Sequence, residues 1–179
     1  FMRSAYLFPG QGSQQVGMGQ DAYQRSPVAR AVFDEADALF GFSLSDLTFN
    51  GPEDQLTDTV NQQPALFVTS VAHWRSMIDS GWPLPDYVAG HSLGEFSALV
   101  AAGSISFADG LALVRKRGEL MKTADSQEPG GMAAVLALDV QTMRDICTEA
   151  SKTTGYPVQV ANDNCPGQIV ISGHEQALT

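Results

Sequence analysis

Gly90-His91-Ser92-Leu93-Gly94 sets a serine between two glycines at Gly-x-Ser-x-Gly spacing, with an apolar stretch ahead and a helical pattern behind. Glycines there lack the Cβ atoms that would block a sharp strand-to-helix turn, and such a turn lifts the serine hydroxyl clear of the sheet as a nucleophile. The first amide of the helix, on Leu93, then faces any oxyanion formed there. The chemistry expected is acyl transfer through Ser92. A local reading competes with it: Ser92 and Glu95 also fit a Ser-x-x-Glu capping box, in which the serine only satisfies helix-start amides. Capping accounts for neither glycine.

Two further groups bear on that chemistry. Arg117 falls on a predicted helix face with Leu113, Val114, Leu120 and Met121, and a guanidinium on an apolar face needs an anion. Its fork matches a carboxylate through two parallel hydrogen bonds. On burial alone, an internal salt bridge, for instance to Glu95, explains Arg117 as well as substrate binding does. With Arg115, Lys116 and Lys122 it forms the one basic cluster of the chain, where an anionic ligand would go. The loop Pro9-Gly10-Gln11-Gly12-Ser13-Gln14 fails as a nucleotide site, because Gln15 replaces the third glycine of a dinucleotide fingerprint and Met18 replaces the P-loop lysine. Its glycines allow close approach to another strand end, so the amide of Gln11 can join that of Leu93 in an oxyanion hole. The alternative for this loop is a tight turn with no role.

A serine nucleophile also needs a base, usually histidine. Of three histidines, His91 adjoins Ser92, and side chains alternate at a strand end, so it is expected to point away from the Ser92 oxygen. His73, beside Trp74 in a helix, and His174, at a helix start, read as surface or structural residues.

The elements that position these groups alternate between strand and helix, an α/β pattern. Phe1 precedes Met2 and is set aside as a remnant. Ala5–Phe8 reads as a strand stopped by Pro9-Gly10. Pro27 opens a helix with Val28, Ala31, Val32, Ala36 and Leu39 on one face and Gly41 at its end, and a longer helix spans Gln63–Ser80. Tyr87-Val88-Ala89 reads as the end of a buried strand, and Ser106 with Asp109 starts a helix that reaches about Thr123. The polar loop Asp125–Gly131 marks a subdomain boundary. Beyond it come a strand over Met132–Leu138, a helix over Val140–Ser151, and strands over Pro157–Ala161 and Gln168–Ser172. That β-α-β-β order opens a ferredoxin-like unit. No final strand follows, so the 179 residues are expected to be less than the whole folding unit.

Composition narrows the class. With 44% hydrophobic and 17% charged residues the chain folds rather than staying disordered. Its formal charge of −10 disfavours nucleic acid as a partner. There is neither a membrane-length apolar run nor a secretory signal, so a cytoplasmic protein is expected. Cys147 and Cys165 lack metal or redox spacing and read as free thiols.

Phe8-Pro9-Gly10-Gln11-Gly12-Ser13-Gln14, Gly90-His91-Ser92-Leu93-Gly94-Glu95, Arg117-Gly118 with Met121, and Asn162-x-Asn164-x-Pro166-Gly167-Gln168 followed by Val170-Ile171-Ser172-Gly173 occur in order. Together they resemble the malonyl-CoA:acyl carrier protein transacylases of fatty acid synthesis and the acyltransferase domains of polyketide synthases. The resemblance covers about Ser4 to Leu178. It implies Ser92 as the nucleophile that carries malonyl from coenzyme A to the phosphopantetheine thiol of acyl carrier protein, with Gln11 and Leu93 as oxyanion-hole amides and Arg117 on the malonate carboxylate. No metal and no cofactor other than the malonyl-CoA substrate are implied. The implied fold is a hydrolase-like parallel-sheet core with an inserted ferredoxin-like subdomain, both incomplete here. Residues 4–125 are the first part of the core, and 130–179 are part of the subdomain. In this family the catalytic histidine lies in a later segment, so these residues alone are expected to be inactive or nearly so, awaiting a C-terminal segment or a second chain. A serine esterase or thioesterase, or a module that binds carrier protein or acyl-CoA without turnover, are the competing functions.

Overall fold

The computed structural model describes residues 3–127 and 130–179. Phe1 and Met2, set aside above, lie outside the described residues, as do Glu128 and Pro129 of the expected boundary loop. The fold is α/β and divides into two compact units, Phe1–Lys122 and Thr123–Thr179.

In the first unit, strand β1 (Ala5–Phe8) is followed by helices α1 (Gln20–Arg25), α2 (Pro27–Phe40), α3 (Leu44–Asn50), α4 (Glu53–Thr57) and α5 (Thr59–Asp79), then strand β2 (Tyr87–Gly90), helix α6 (Gly94–Ala101) and, as far as Lys122, helix α7 (Phe107–Gln127). β1 and β2 pair in parallel, from Ala5 beside Tyr87 to Phe8 beside Gly90, and α6 packs on both. A strand pair with one helix on it cannot cover both faces. Tyr87 and Leu7 are accordingly 56% and 76% exposed, where the sequence pattern implied a buried strand.

α2 starts and stops where its end residues predict: the Ser26 side chain accepts from the amide of Ala29, Pro27 opens the first turn, and Gly41 closes the helix at φ 70°. Its buried face, however, is Ala29, Val32, Phe33 and Ala36, while Ala31 and Leu39 are exposed. Phe33 decides the rotation, since its ring packs against Tyr23 and Phe49 and buries more apolar surface than Leu39 would. α5 is the central helix. Gln62 to Thr69 is buried without a break, which marks a helix surrounded by protein rather than an amphipathic one.

α7 begins as expected, with the Ser106 hydroxyl accepting from the amide of Asp109. Its main chain stays helical through Gln127, where a loop was expected from Asp125, and the next strand already starts at Gly130. The second unit then holds β3 (Gly130–Leu136), α8 (Val140–Thr154), β4 (Val158–Cys165), β5 (Gln168–His174) and α9 (Glu175–Leu178). The strands form an antiparallel sheet in the order β3-β5-β4. β3 lies two residues earlier than its apolar pattern suggests, because pairing to β5 runs from Gly130 opposite His174 to Leu136 opposite Gln168. Ala137 then turns out at φ 61°. Met143, Cys147, Val158, Ile169 and Ile171 form the core of this unit.

Candidate active site

The Ser92 turn is strained in the way a nucleophile elbow requires. Ser92 has φ 52°, left-handed for a non-glycine residue, at a cost of about 1–3 kcal/mol. β2 ends at Gly90 and α6 starts at Gly94, so the reversal takes three residues. A Cβ on Gly90 would collide with the main chain of Gly94, and one on Gly94 with the carbonyl of Phe8. Both glycines are thus fixed by close approach. The capping-box reading does not hold: α6 has no side-chain cap, and the Ser92 oxygen is engaged elsewhere.

That engagement is with Arg117. Its Nη2 donates to Ser92 Oγ at 2.8 Å, and its Nη1 donates to Gln63 Oε1 at 2.6 Å. A guanidinium has no acceptor, so Ser92 receives this bond and its own proton stays available to a base. Among the described residues Arg117 makes no ion pair, with Glu95 or any other carboxylate, which removes the internal salt bridge as its explanation. Burial lowers its pKa, but a guanidinium remains charged at neutral pH. It is a half-buried cation held by two neutral partners.

The expected basic cluster does not act as a unit. Arg115 pairs with Glu119, Lys116 with the same Glu119, and Lys122 with Asp58. Arg115 Nη1 also donates to Val60 O at 3.1 Å. The reason lies in α5: Pro64 has no N–H, so the Val60 carbonyl four residues earlier lacks its helical donor. Arg115 fills that vacancy and ties α7 to α5. At Gly118, beside Arg117, an added Cβ would lie 2.7 Å from Thr59 O, so the two helices touch backbone to backbone.

The Gln11 loop lies against the elbow. His91 N donates to Phe8 O at 3.1 Å, and a Cβ on Gly10 would come within 2.5 Å of His91 O and 3.1 Å of His91 Nδ1. The close approach foreseen from its glycines is present. No helix starts directly after this loop, since α1 begins only at Gln20, which fits neither nucleotide motif. The amide of Leu93 stands at the start of α6, where a helix leaves its first amides without internal partners.

Three residues of the site escape a reading by motif. Gln63 is fully buried; its Oε1 holds Arg117, and its Nε2 donates to Thr59 Oγ1 at 3.0 Å and to Met121 Sδ at 3.2 Å. Thr59 Oγ1 also accepts from Gln11 Nε2 at 3.0 Å, and Gln62 Oε1 accepts from the same nitrogen at 2.6 Å. The available signal was a Gln-Gln-Pro run opening a buried helix, because buried amides require partners. Of the remaining histidines, His73 is exposed on α5, and His174 caps α9 through Nδ1 while stacking on Tyr156 at 3.9 Å. A cavity of about 620 Å³ in the second unit, between Leu138, Asp139, Asp163, Cys165 and Ile169, contains none of the residues of this site.

A protein-family model described as acyl transferase domain matches residues 5–179. The chain belongs to the acyl transferase domain family. It is 52% identical over 169 residues to the malonyl CoA-acyl carrier protein transacylase of Bacillus subtilis strain 168, covering 94% of this chain and 53% of that protein. The crystal structure of acyl-carrier-protein S-malonyltransferase from Burkholderia pseudomallei superposes with a TM-score of 0.92 at 45% identity, over 99% of this chain and 57% of that one. A type II PKS acyl carrier protein in complex with its malonyl-transacylase matches with a TM-score of 0.92 at 42% identity, over 99% and 57%. This acyl transferase chain spans about half the length of the curated relatives it matches. Among its described residues no helix is long and apolar enough to cross a membrane.

Proposed function

We propose that this chain supplies the nucleophile and the acid clamp of a malonyl-CoA:acyl carrier protein transacylase. The observation that carries the reading is the 2.8 Å bond from Arg117 Nη2 to Ser92 Oγ, by a guanidinium with no carboxylate partner among the described residues. In a malonyl thioester the free carboxylate is one methylene from the reacting carbonyl, so nucleophile and carboxylate clamp must be neighbours. Ser92 Oγ attacks the thioester carbonyl while a base takes its proton. The tetrahedral oxyanion, held by the amides of Gln11 and Leu93, collapses and expels the coenzyme A thiolate, which is protonated to the thiol. The phosphopantetheine thiolate of the carrier protein then attacks the malonyl-Ser92 ester and regenerates Ser92. Arg117 cannot be the base, and the family resemblance assigns that role to a histidine in a later segment.

The resemblance also carries the finer fold: a hydrolase-like core, with residues 4–125 as its first part, and a ferredoxin-like subdomain over 130–179. The parallel β1–β2 pair ending in the Ser92 turn supports the first, and the β3-β5-β4 order, with the first strand beside the third, supports the second. The free thiols Cys147 and Cys165 agree with a reducing compartment, the cytoplasm.

Incubating the full-length protein with malonyl-CoA and reading intact mass tests this function. A malonyl adduct that disappears in Ser92→Ala is expected. No adduct, or one that survives Ser92→Ala, would sink the assignment, and free malonate released without carrier protein as fast as transfer would make the enzyme a thioesterase.

A further inference from the structure

We infer that Thr59 is a positioning residue that sets the acyl preference of the site by fixing the orientation of Arg117 through Gln63; this rests on the malonyl reading above. The polarity of the contact chain leads to it. Arg117 can only donate, so the Gln63 atom facing it must be Oε1, and the Gln63 amide nitrogen must face the other way. There it needs acceptors, and Thr59 Oγ1 at 3.0 Å is the stronger of the two present, since the Met121 thioether at 3.2 Å is a weak acceptor. The Thr59 hydroxyl thus keeps the amide from turning over. Turned over, Gln63 would aim N–H groups at the guanidinium, and Arg117 would leave the geometry in which it grips a carboxylate.

The same oxygen receives Gln11 Nε2 at 3.0 Å, so both lone pairs of one hydroxyl are used. Thr59 is therefore the point at which the carboxylate clamp and the Gln11 loop are held in common. Its own place does not depend on that hydroxyl. Gly118 packs against its carbonyl, and the neighbouring Asp58 caps α5 through the amide of Val60 while pairing with Lys122. Removing the hydroxyl should disturb orientation and leave the fold in place.

The test uses full-length protein, wild type and Thr59→Val, acylated in parallel with malonyl-CoA and acetyl-CoA, with single-turnover rates read by intact mass. We expect the malonyl-over-acetyl preference to fall about tenfold in Thr59→Val, chiefly through the malonyl-CoA concentration needed for half-saturation, and Thr59→Ser to restore it. A preference within about twofold of wild type overturns the proposal whatever the overall rate, because a merely structural hydroxyl slows both acyl groups alike. Thr59→Ala, judged by the same criterion, serves where valine does not fold. A wild type that is not malonylated at Ser92 overturns the malonyl reading and this role with it. A malonylated wild type with an unaltered preference in the variant overturns this role alone.

Discussion

Arg117 reaches Ser92 and Gln63 from one turn of α7, and its neutral partners leave its charge unspent. Lysine at this position would keep the charge but present a single ammonium in place of the two-pronged fork. Losing one charge-assisted bond is worth about 1.5–3 kcal/mol, so Arg117→Lys should slow malonyl loading of Ser92 by about ten- to a hundredfold. Arg117→Ala should go further and favour uncharged acyl groups over malonyl. Parallel loading assays with malonyl-CoA and acetyl-CoA check both, and equal loss with the two substrates would contradict a carboxylate clamp. The Ser92 turn and the close approach of the Gln11 loop were legible from their glycines, whereas the apolar face expected around Arg117 was not found, since Leu113, Leu120 and Met121 are exposed and only Val114 is buried. Gln63 and Thr59 were not legible, because a glutamine or threonine in a helical pattern looks the same whether its amide or hydroxyl faces solvent or holds a guanidinium.

At the scale of elements, the site depends on how α5 and α7 are joined. Pro64 frees the Val60 carbonyl, Arg115 takes it, and Asp58 and Lys122 pair at the start of α5. The hydrogen bond from Lys122, and after it the amide of Val60, hold the Asp58 carboxyl below its usual range. A carboxylate whose pKa is depressed by folding stabilises the native state above its unfolded value of about 3.9, and that stability is lost as pH falls through the folded value. The pair is partly exposed, so its worth at neutral pH is about 1 kcal/mol or less. Asp58→Asn, which can still cap α5, should therefore lower the urea midpoint at pH 7, with the difference from wild type shrinking below about pH 4 and vanishing in stronger acid. A difference that grows on acidification would refute the pairing. The elements themselves were largely readable: β1 matches its expected residues, and α2 starts at its proline and stops at its glycine. Their rotation was not, since Phe33 turns α2 by one position through contacts with Tyr23 and Phe49, on other helices.

At the scale of the whole molecule the described residues form two cores, one around α5 and the other the small cluster of Met143, Cys147, Val158, Ile169 and Ile171. Few side chains share the burial in the second, so Ile169→Ala should cost it about 2–5 kcal/mol, read as faster hydrogen exchange along β3, β4 and β5. Protection unchanged in those strands would show that Ile169 is not central to that core. The sequence by itself determined the strand-turn-helix that strains Ser92 and the β-α-β-β order, because glycine spacing and apolar periodicity are local properties of the chain. Only the tertiary structure decided what Arg117 meets: Arg115 and Lys116 find Glu119 on their own helix and Lys122 reaches Asp58 beside α5, while Arg117, with no carboxylate partner among the described residues, meets Ser92 and Gln63. The partners of Arg117 are set by what packs across from α7, and residues 25 and 54 positions apart in the chain meet only once α5, α6 and α7 are packed.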